Sequence, residues 1–144
     1  MPTVCLSTNQ TAEVAATGSM TAAGVGTLAL CELQLRTAGA LEPELAAELE
    51  SARRVGLNWF AERFSVETNP NMGAWHYYYL YGLERMGALV GVAFFGEHDW
   101  YQEGARFLVE RQDESGSWQG GTDMSETCFA LLFLKRATAP VTGR

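Results

Sequence analysis

Residues 104–118 read Gly-Ala-Arg-Phe-Leu-Val-Glu-Arg-Gln-Asp-Glu-Ser-Gly-Ser-Trp. An amphipathic helix runs through Phe107 and Leu108 and stops near Gln112. A polar turn follows, with Gly116 where the chain must reverse and Trp118 as a large apolar anchor. The same order returns upstream at an offset of 48 residues. Gly56, Trp59, Phe60, Glu62 and Arg63 stand where Gly104, Phe107, Leu108, Glu110 and Arg111 stand in the later copy. A Gly-x-Trp follows each helix, Gly73-Ala-Trp75 in the first copy and Gly116-Ser-Trp118 in the second. A period near 50 built from two helices is the mark of a helical-hairpin repeat.

Working outward, hydrophobic periodicity places five helices. Ser19 is the expected N-cap of the first, which runs to about position 36 and is stopped by Thr37-Ala-Gly39. Gly24 and Gly26 inside it each cost about 1 kcal/mol against Ala, a cost tolerated for close helix approach or a cavity wall. The second helix opens at Glu42-Pro43-Glu44 and reaches about position 64, before a loop containing Asn69-Pro70-Asn71. The third spans about 75–92 and begins with Trp75, His76, Tyr77, Tyr78, Tyr79 and Tyr81, a composition expected of a helix buried all round. Asp99 caps a fourth helix, 100–111, and Asp123 or Ser125 a fifth that ends at Ala139-Pro140. Gly120-Gly121 is a turn, and no stretch alternates with period two, so the expected class is all-α. The repeat module covers 19–137, after an irregular lead-in (1–18) and before a short tail (138–144).

The run from Gly104 to Trp118 resembles the QW repeat of squalene and related terpenoid cyclases. The resemblance implies an (α/α) toroid of inner and outer helices, shared with protein prenyltransferase β subunits. It also implies that Gln112 caps a neighbouring helix end and that Trp118 stacks against it, with Gly73, Trp75 and Gly116 as the other structural positions of the motif. The earlier copy departs from the pattern, with Phe64 in place of the Gln. Trp75-His-Tyr-Tyr-Tyr-Leu-Tyr-Gly together with Glu97-His-Asp-Trp-Tyr is similar to bacterial squalene-cyclase-like repeat proteins of unassigned function. Five helices make an incomplete ring, whereas a closed one takes about six hairpins. The expectation is therefore a C-terminal portion of a larger toroid, or a chain that self-associates to cover its open ends.

Composition narrows the functional classes. Forty-seven per cent hydrophobic residues imply a packed core rather than disorder. A net charge of −7 argues against nucleic acid or an anionic membrane surface as partner. The longest strongly apolar run, 88–95, is too short for a transmembrane segment. Cys5, Cys31 and Cys128 cannot all pair and show no CxxC spacing. Two of them are expected as small buried apolar residues, consistent with a reducing, cytoplasmic setting.

Cyclases of the resembled type protonate an alkene from an Asp-x-Asp-Asp segment. This chain has only Asp99, Asp113 and Asp123, and none lies in such a segment. Asp113-Glu114 reads as a solvated turn. A prenyltransferase-like zinc site would draw on His76, Asp123 and Cys128, but no Asp-x-Cys pair precedes a ligand His, and neither metal nor cofactor is expected. His98-Asp99 reads as a cap pair. No nucleophile elbow or phosphate-cradling glycine loop is present.

The aromatic cluster remains as the candidate site. In the resembled family, aromatic faces line a central cavity and stabilise cations. Trp75, His76, Tyr77, Tyr78 and Tyr81 are the ligand-cavity candidates, with plain core packing as the competing reading. Three functional readings stay open. The first is a toroid module that binds an apolar, isoprenoid-like ligand without a catalytic acid of its own. The second is a protein-binding scaffold, and the third is part of an active cyclase whose acid lies in further sequence.

Overall fold

The computed structural model describes residues 15–119 and 123–135. The lead-in before residue 15, Cys5, the Gly120-Gly121 turn, the helix end at Ala139-Pro140 and the tail lie outside the described residues. Helix α1 (Gly18–Thr37) begins slightly earlier than its sequence pattern suggests. Thr17, not Ser19, is the N-cap, and its hydroxyl accepts the Met20 N–H at 3.3 Å. The Ser19 N–H is instead taken by Asn69 Oδ1 at 3.0 Å, a partner fifty residues away. Gly39, at φ +65°, turns the chain out of α1.

Helix α2 (Pro43–Arg63) opens on Pro43, whose missing N–H is no loss in a first turn. Glu44 in its first turn and Arg63 in its last both complement the helix dipole. Helix α3 (His76–Val90) ends at Gly91, φ +74°, whose N–H returns to the Gly87 carbonyl. A small antiparallel hairpin then intervenes, β1 (Phe94–Phe95) against β2 (His98–Asp99), with Phe94 opposite Asp99 and Phe95 opposite His98. Two-residue strands are too short to show a period, so the sequence reads this stretch only as a turn. Helix α4 (Trp100–Arg111) is capped by Asp99, whose Oδ1 accepts the Gln102 N–H at 3.0 Å. Helix α5 (Asp123–Lys135) closes the described chain.

The architecture is all-α apart from that hairpin. Helices α1, α3 and α5 lie in a row with α3 in the middle, while α2 packs on α1 and α4 lies against α5. The row and its cover meet in an aromatic seam. Phe60 of α2 stacks near Tyr79 of α3 and touches Phe95, Phe95 stacks near Trp100, and Trp100 meets Phe133 of α5 edge-on. All five rings are buried, and the Trp100 indole donates to the Val92 carbonyl at 2.9 Å.

The repeat seen in the sequence has a physical counterpart in each copy. A Cβ on Gly56 would fall 2.2 Å from Val25 Cγ2 of α1, and one on Gly104 would fall 2.4 Å from Phe133 Cζ of α5. Both glycines therefore let a covering helix approach a helix of the row. Phe60 and Leu108, also 48 apart, are both fully buried. Arg63 lies over the Trp59 ring and Arg111 over the Phe107 ring, the same i,i+4 pairing repeated. Of the two glycines in the interior of α1 after its first residue Gly18, Gly26 faces Met86 and Leu89 of α3 at ordinary contact distance, whereas Gly24 faces open space.

The two ends of the row differ from its middle. Helix α1 exposes Met20, Leu30 and Leu33, and α5 exposes Met124, Leu131 and Leu132. Cys31 and Cys128 sit on these same helices and are exposed, contrary to the expectation of burial, because neither end helix has a neighbour on its outer side among the described residues. Helix α3 is not buried all round either. Tyr79, Leu80, Leu83 and Met86 are enclosed, but Tyr78 and Leu89 reach solvent.

Candidate functional site

The loop between α2 and α3 is held to the start of α1 by a polar lock. Asn69, almost fully buried, takes the Ser19 N–H and donates from Nδ2 to Ser19 Oγ (3.1 Å) and to the Ala74 carbonyl (3.1 Å). The Gly18 N–H reaches the Pro70 carbonyl at 2.9 Å, and Asn71 Nδ2 reaches the Ala16 carbonyl at 2.7 Å. From inside the row, the Tyr79 hydroxyl donates to the Ser65 carbonyl at 2.8 Å, and burial pushes that phenol well above its usual range. These bonds satisfy N–H groups that a helix start leaves orphaned, and they fix where the aromatic start of α3 stands.

Trp75 ends this loop as the N-cap of α3, at φ +62° and ψ +36°. A left-handed backbone is strained for an aromatic residue and persists only where its surroundings impose it. Its side chain is 69% exposed. Trp118 is the opposite: 1% exposed, with its indole donating to the Leu108 carbonyl at 2.8 Å and its own N–H bonded to Thr127 Oγ1 of α5. The two Gly-x-Trp segments are thus equivalent in sequence but not in environment. Gly73 faces open space, and Gly116, at φ +82°, supplies the turn in the second copy.

Gln112 does not reach a neighbouring helix, as the resemblance implies. Its Nε2 donates to the Gly116 carbonyl at 2.9 Å and closes its own exposed turn. The helix end is instead fastened by Trp118. Asp113 completes the turn by accepting bonds from the Ser115 and Ser117 N–H groups and hydroxyls, which hold its carboxyl well below the usual range.

The five aromatic candidates do not line one cavity. Four of them divide between two hollows that share Trp75 as a common wall, and Tyr81 lines neither. The first is an apolar groove of about 420 Å³ across the starts of α1 and α3 and the middle of α5, lined by Ser19, Met20, Met72, Trp75, Tyr78 and Phe129. Tyr78, 43% exposed, meets Phe129 edge-on here, and Tyr81 stacks on the same Phe129 ring from the half-buried side. The second is an open cleft of about 710 Å³ between the start of α3 and the end of α4. His76, Tyr77, Phe107, Arg111, Glu67 and Glu126 are among its walls.

In the cleft His76 packs edge-on against Phe107 and hydrogen-bonds through Nε2 to the Val66 carbonyl at 2.8 Å. Burial, reinforced by the Arg111 charge, holds its pKa below the ordinary histidine value against the opposing pull of that carbonyl. Burial also raises the Tyr77 phenol.

Elsewhere, two acidic residues that sequence reasoning passed over are buried. Glu84 of α3 is fully enclosed and accepts two bonds from Arg85, at 2.6 and 2.9 Å. Arg85 in turn lies near the Tyr81 ring. Glu32 of α1 is paired with Arg36 and with Arg53 of α2, and these partners, Arg36 foremost, depress its pKa. A Glu at an inward position of an apolar helix is the only signal that could have marked either one.

His98 is not a cap. It sits in β2, and its Nδ1 contacts Glu103 of α4 at 3.1 Å. Among the described residues no group of three or more His, Cys, Asp or Glu could hold a metal ion. No helix among them is long and apolar enough to cross a membrane. Set against family models, curated proteins and solved structures, the chain matches none.

Proposed function

We propose that this chain is a helical-repeat module of α/α-toroid type, related to the terpenoid cyclases and prenyltransferases, that binds an apolar, isoprenoid-like ligand. The observation that carries the reading is the apolar groove, walled by the exposed, strained Trp75 and the half-exposed Tyr78 at the start of the middle helix. Large aromatic residues left in water on a rigid helix start, next to concave apolar surface, are typical of ligand sites. The Asn69–Ser19 lock holds the groove walls in place before any ligand arrives.

The test is titration of the protein with a fluorescent isoprenoid hydrocarbon. Saturable binding is expected, with loss on Trp75→Ala and on Tyr78→Ala. Trp75 is largely exposed, so its removal should change stability by no more than about 0.5 kcal/mol, whereas Tyr78, 43% exposed and edge-on to Phe129, should cost about 1 kcal/mol. Wild-type protein that shows no saturable binding, or Tyr78→Ala protein that binds unchanged, refutes the proposal.

The exposed apolar residues of α1 and α5 favour a second, compatible reading in which the row continues into another copy or into the rest of a toroid. Sedimentation equilibrium tests it. A concentration-dependent shift to larger species supports the reading, and a monomer at all concentrations removes it.

A further inference from the structure

Helices α1 and α5 each turn one side to their neighbours and leave the other bare. On α1, Ala22 and Gly26 face α3, and Val25 meets α2. Met20, Gly24, Thr27 and Cys31, spaced i, i+4, i+7 and i+11, share the side turned away from α3, and all four are exposed. On α5, Phe129 meets Tyr78 of α3 and Phe133 stacks on Tyr101 of α4. Met124, Cys128 and Leu131, again spaced i, i+4 and i+7, form the opposite side and are exposed.

Neither stripe holds a charged residue, although the chain carries −7 in total. Acidic residues crowd the covering helices instead: Glu44, Glu48, Glu50 and Glu62 on α2, and Glu103 and Glu110 on α4. Two uncharged stripes can meet without the repulsion that the net charge imposes on other approaches. The stripes also differ in bulk. A Cβ on Gly24 would have nothing within 4 Å, and Thr27 and Cys31 are small, whereas α5 offers the long side chains of Met124 and Leu131. Within the row the same difference already makes a joint, where Gly26 of α1 receives Met86 and Leu89 of α3. Pairing α1 with a second α1 would set hollow against hollow, and α5 with α5 bulk against bulk. Each forfeits contacts that the mixed pair keeps.

Resting on the reading in which the row continues into another copy, we infer that copies join head to tail. The Met124–Leu131 side of one α5 seats on the Met20–Cys31 side of the next copy's α1. Such a joint uses two different surfaces, so each added copy leaves a fresh one, and growth passes the dimer. Sedimentation of wild type and of two variants, Thr27→Glu and Leu131→Glu, tests it. Both side chains are exposed, and thermal melts followed by circular dichroism check the fold. Should either variant melt early, Gly24→Glu or Met124→Glu on the same sides replaces it. Wild type should assemble beyond the dimer. Each variant alone should associate at least about tenfold more weakly, because a charge enters the joint. An equimolar mixture should form a dimer of one of each, since the intact α5 of Thr27→Glu finds the intact α1 of Leu131→Glu. Wild type that stops at the dimer, a variant that associates as well as wild type, or a mixture that stays monomeric overturns the head-to-tail order and leaves association standing. Wild type that stays monomeric at all concentrations overturns both.

Discussion

Gly104→Ala tests whether the repeat is physical. Within a helix this exchange ordinarily stabilises by about 1 kcal/mol, because Ala loses less backbone freedom on folding. At Gly104 the new methyl would lie 2.4 Å from Phe133 Cζ and 3.1 and 3.2 Å from the two adjoining ring carbons. Ordinary carbon contacts are about 3.5–4.0 Å, so the overlap exceeds about 1 Å. The ring cannot withdraw easily. Phe133 is fully buried, stacked on Tyr101 and edge-on to Trp100. Overpacking of this kind costs about 1–3 kcal/mol, and the confinement places it near the upper end. Set against the propensity gain, the net loss is about 2 kcal/mol, or about 4–8 °C in melting temperature for a chain of this size. Urea unfolding followed by tryptophan fluorescence measures it. Two controls locate the cause. Gly24→Ala, with nothing within 4 Å, should stabilise by about 1 kcal/mol. Phe133→Leu should cost less in the Gly104→Ala background than in wild type, with a coupling of about 1 kcal/mol. A Gly104→Ala protein as stable as wild type would refute the close-approach argument, and with it the equivalence of Gly56 and Gly104.

Three further outcomes follow from the site. Trp118→Phe should lose about 1–2 kcal/mol by leaving the Leu108 carbonyl without its indole donor, whereas Gln112→Ala should change stability by less than about 0.5 kcal/mol; paired chemical denaturation curves decide. Tyr79→Phe should lose about 1–2 kcal/mol, since the Ser65 carbonyl loses its partner in a buried setting, and loss of isoprenoid binding beyond that expected from unfolding would show that the lock also shapes the groove. Because His76 has a lower pKa folded than unfolded, the unfolded chain takes up its proton first on acidification. Its contribution is complete above the ordinary value of 6.5 and declines as pH falls from there towards the depressed folded value. Stability measured at several pH values should therefore slope less between about pH 5 and 7 in His76→Gln than in wild type, and an unchanged slope would show that the ring is not desolvated.

Local rules reached far into this fold. Asp99 before an apolar-periodic run announces α4 to the residue, and Pro43 does nearly as well for α2. The offset of 48 picks out Gly56 with Gly104 and Trp59-Arg63 with Phe107-Arg111, and each pair does the same work in space. The aromatic start of α3 stands out as the place to look for a site. Its division into a groove side and a cleft side does not, because a run of adjacent aromatics points all round the helix axis.

The sequence by itself determined the helices, the Asp99 cap, the repeat and the cluster in which the candidate site lies, whereas Ser19 is not the cap of α1 and Asp123 and Ser125 lie inside α5. These depend on residues within a few positions of one another, and a helical period reports which side chains share a face. Tertiary structure alone decided which faces are covered. It placed Trp118 inside and Trp75 outside, though both close a Gly-x-Trp, and it left Cys31 and Cys128 in water on the end helices. It also brought Asn69 to the Ser19 N–H of α1 from fifty residues away and enclosed the Glu84 carboxylate. Burial is a property of neighbours, and a period cannot say which neighbour, if any, will be there.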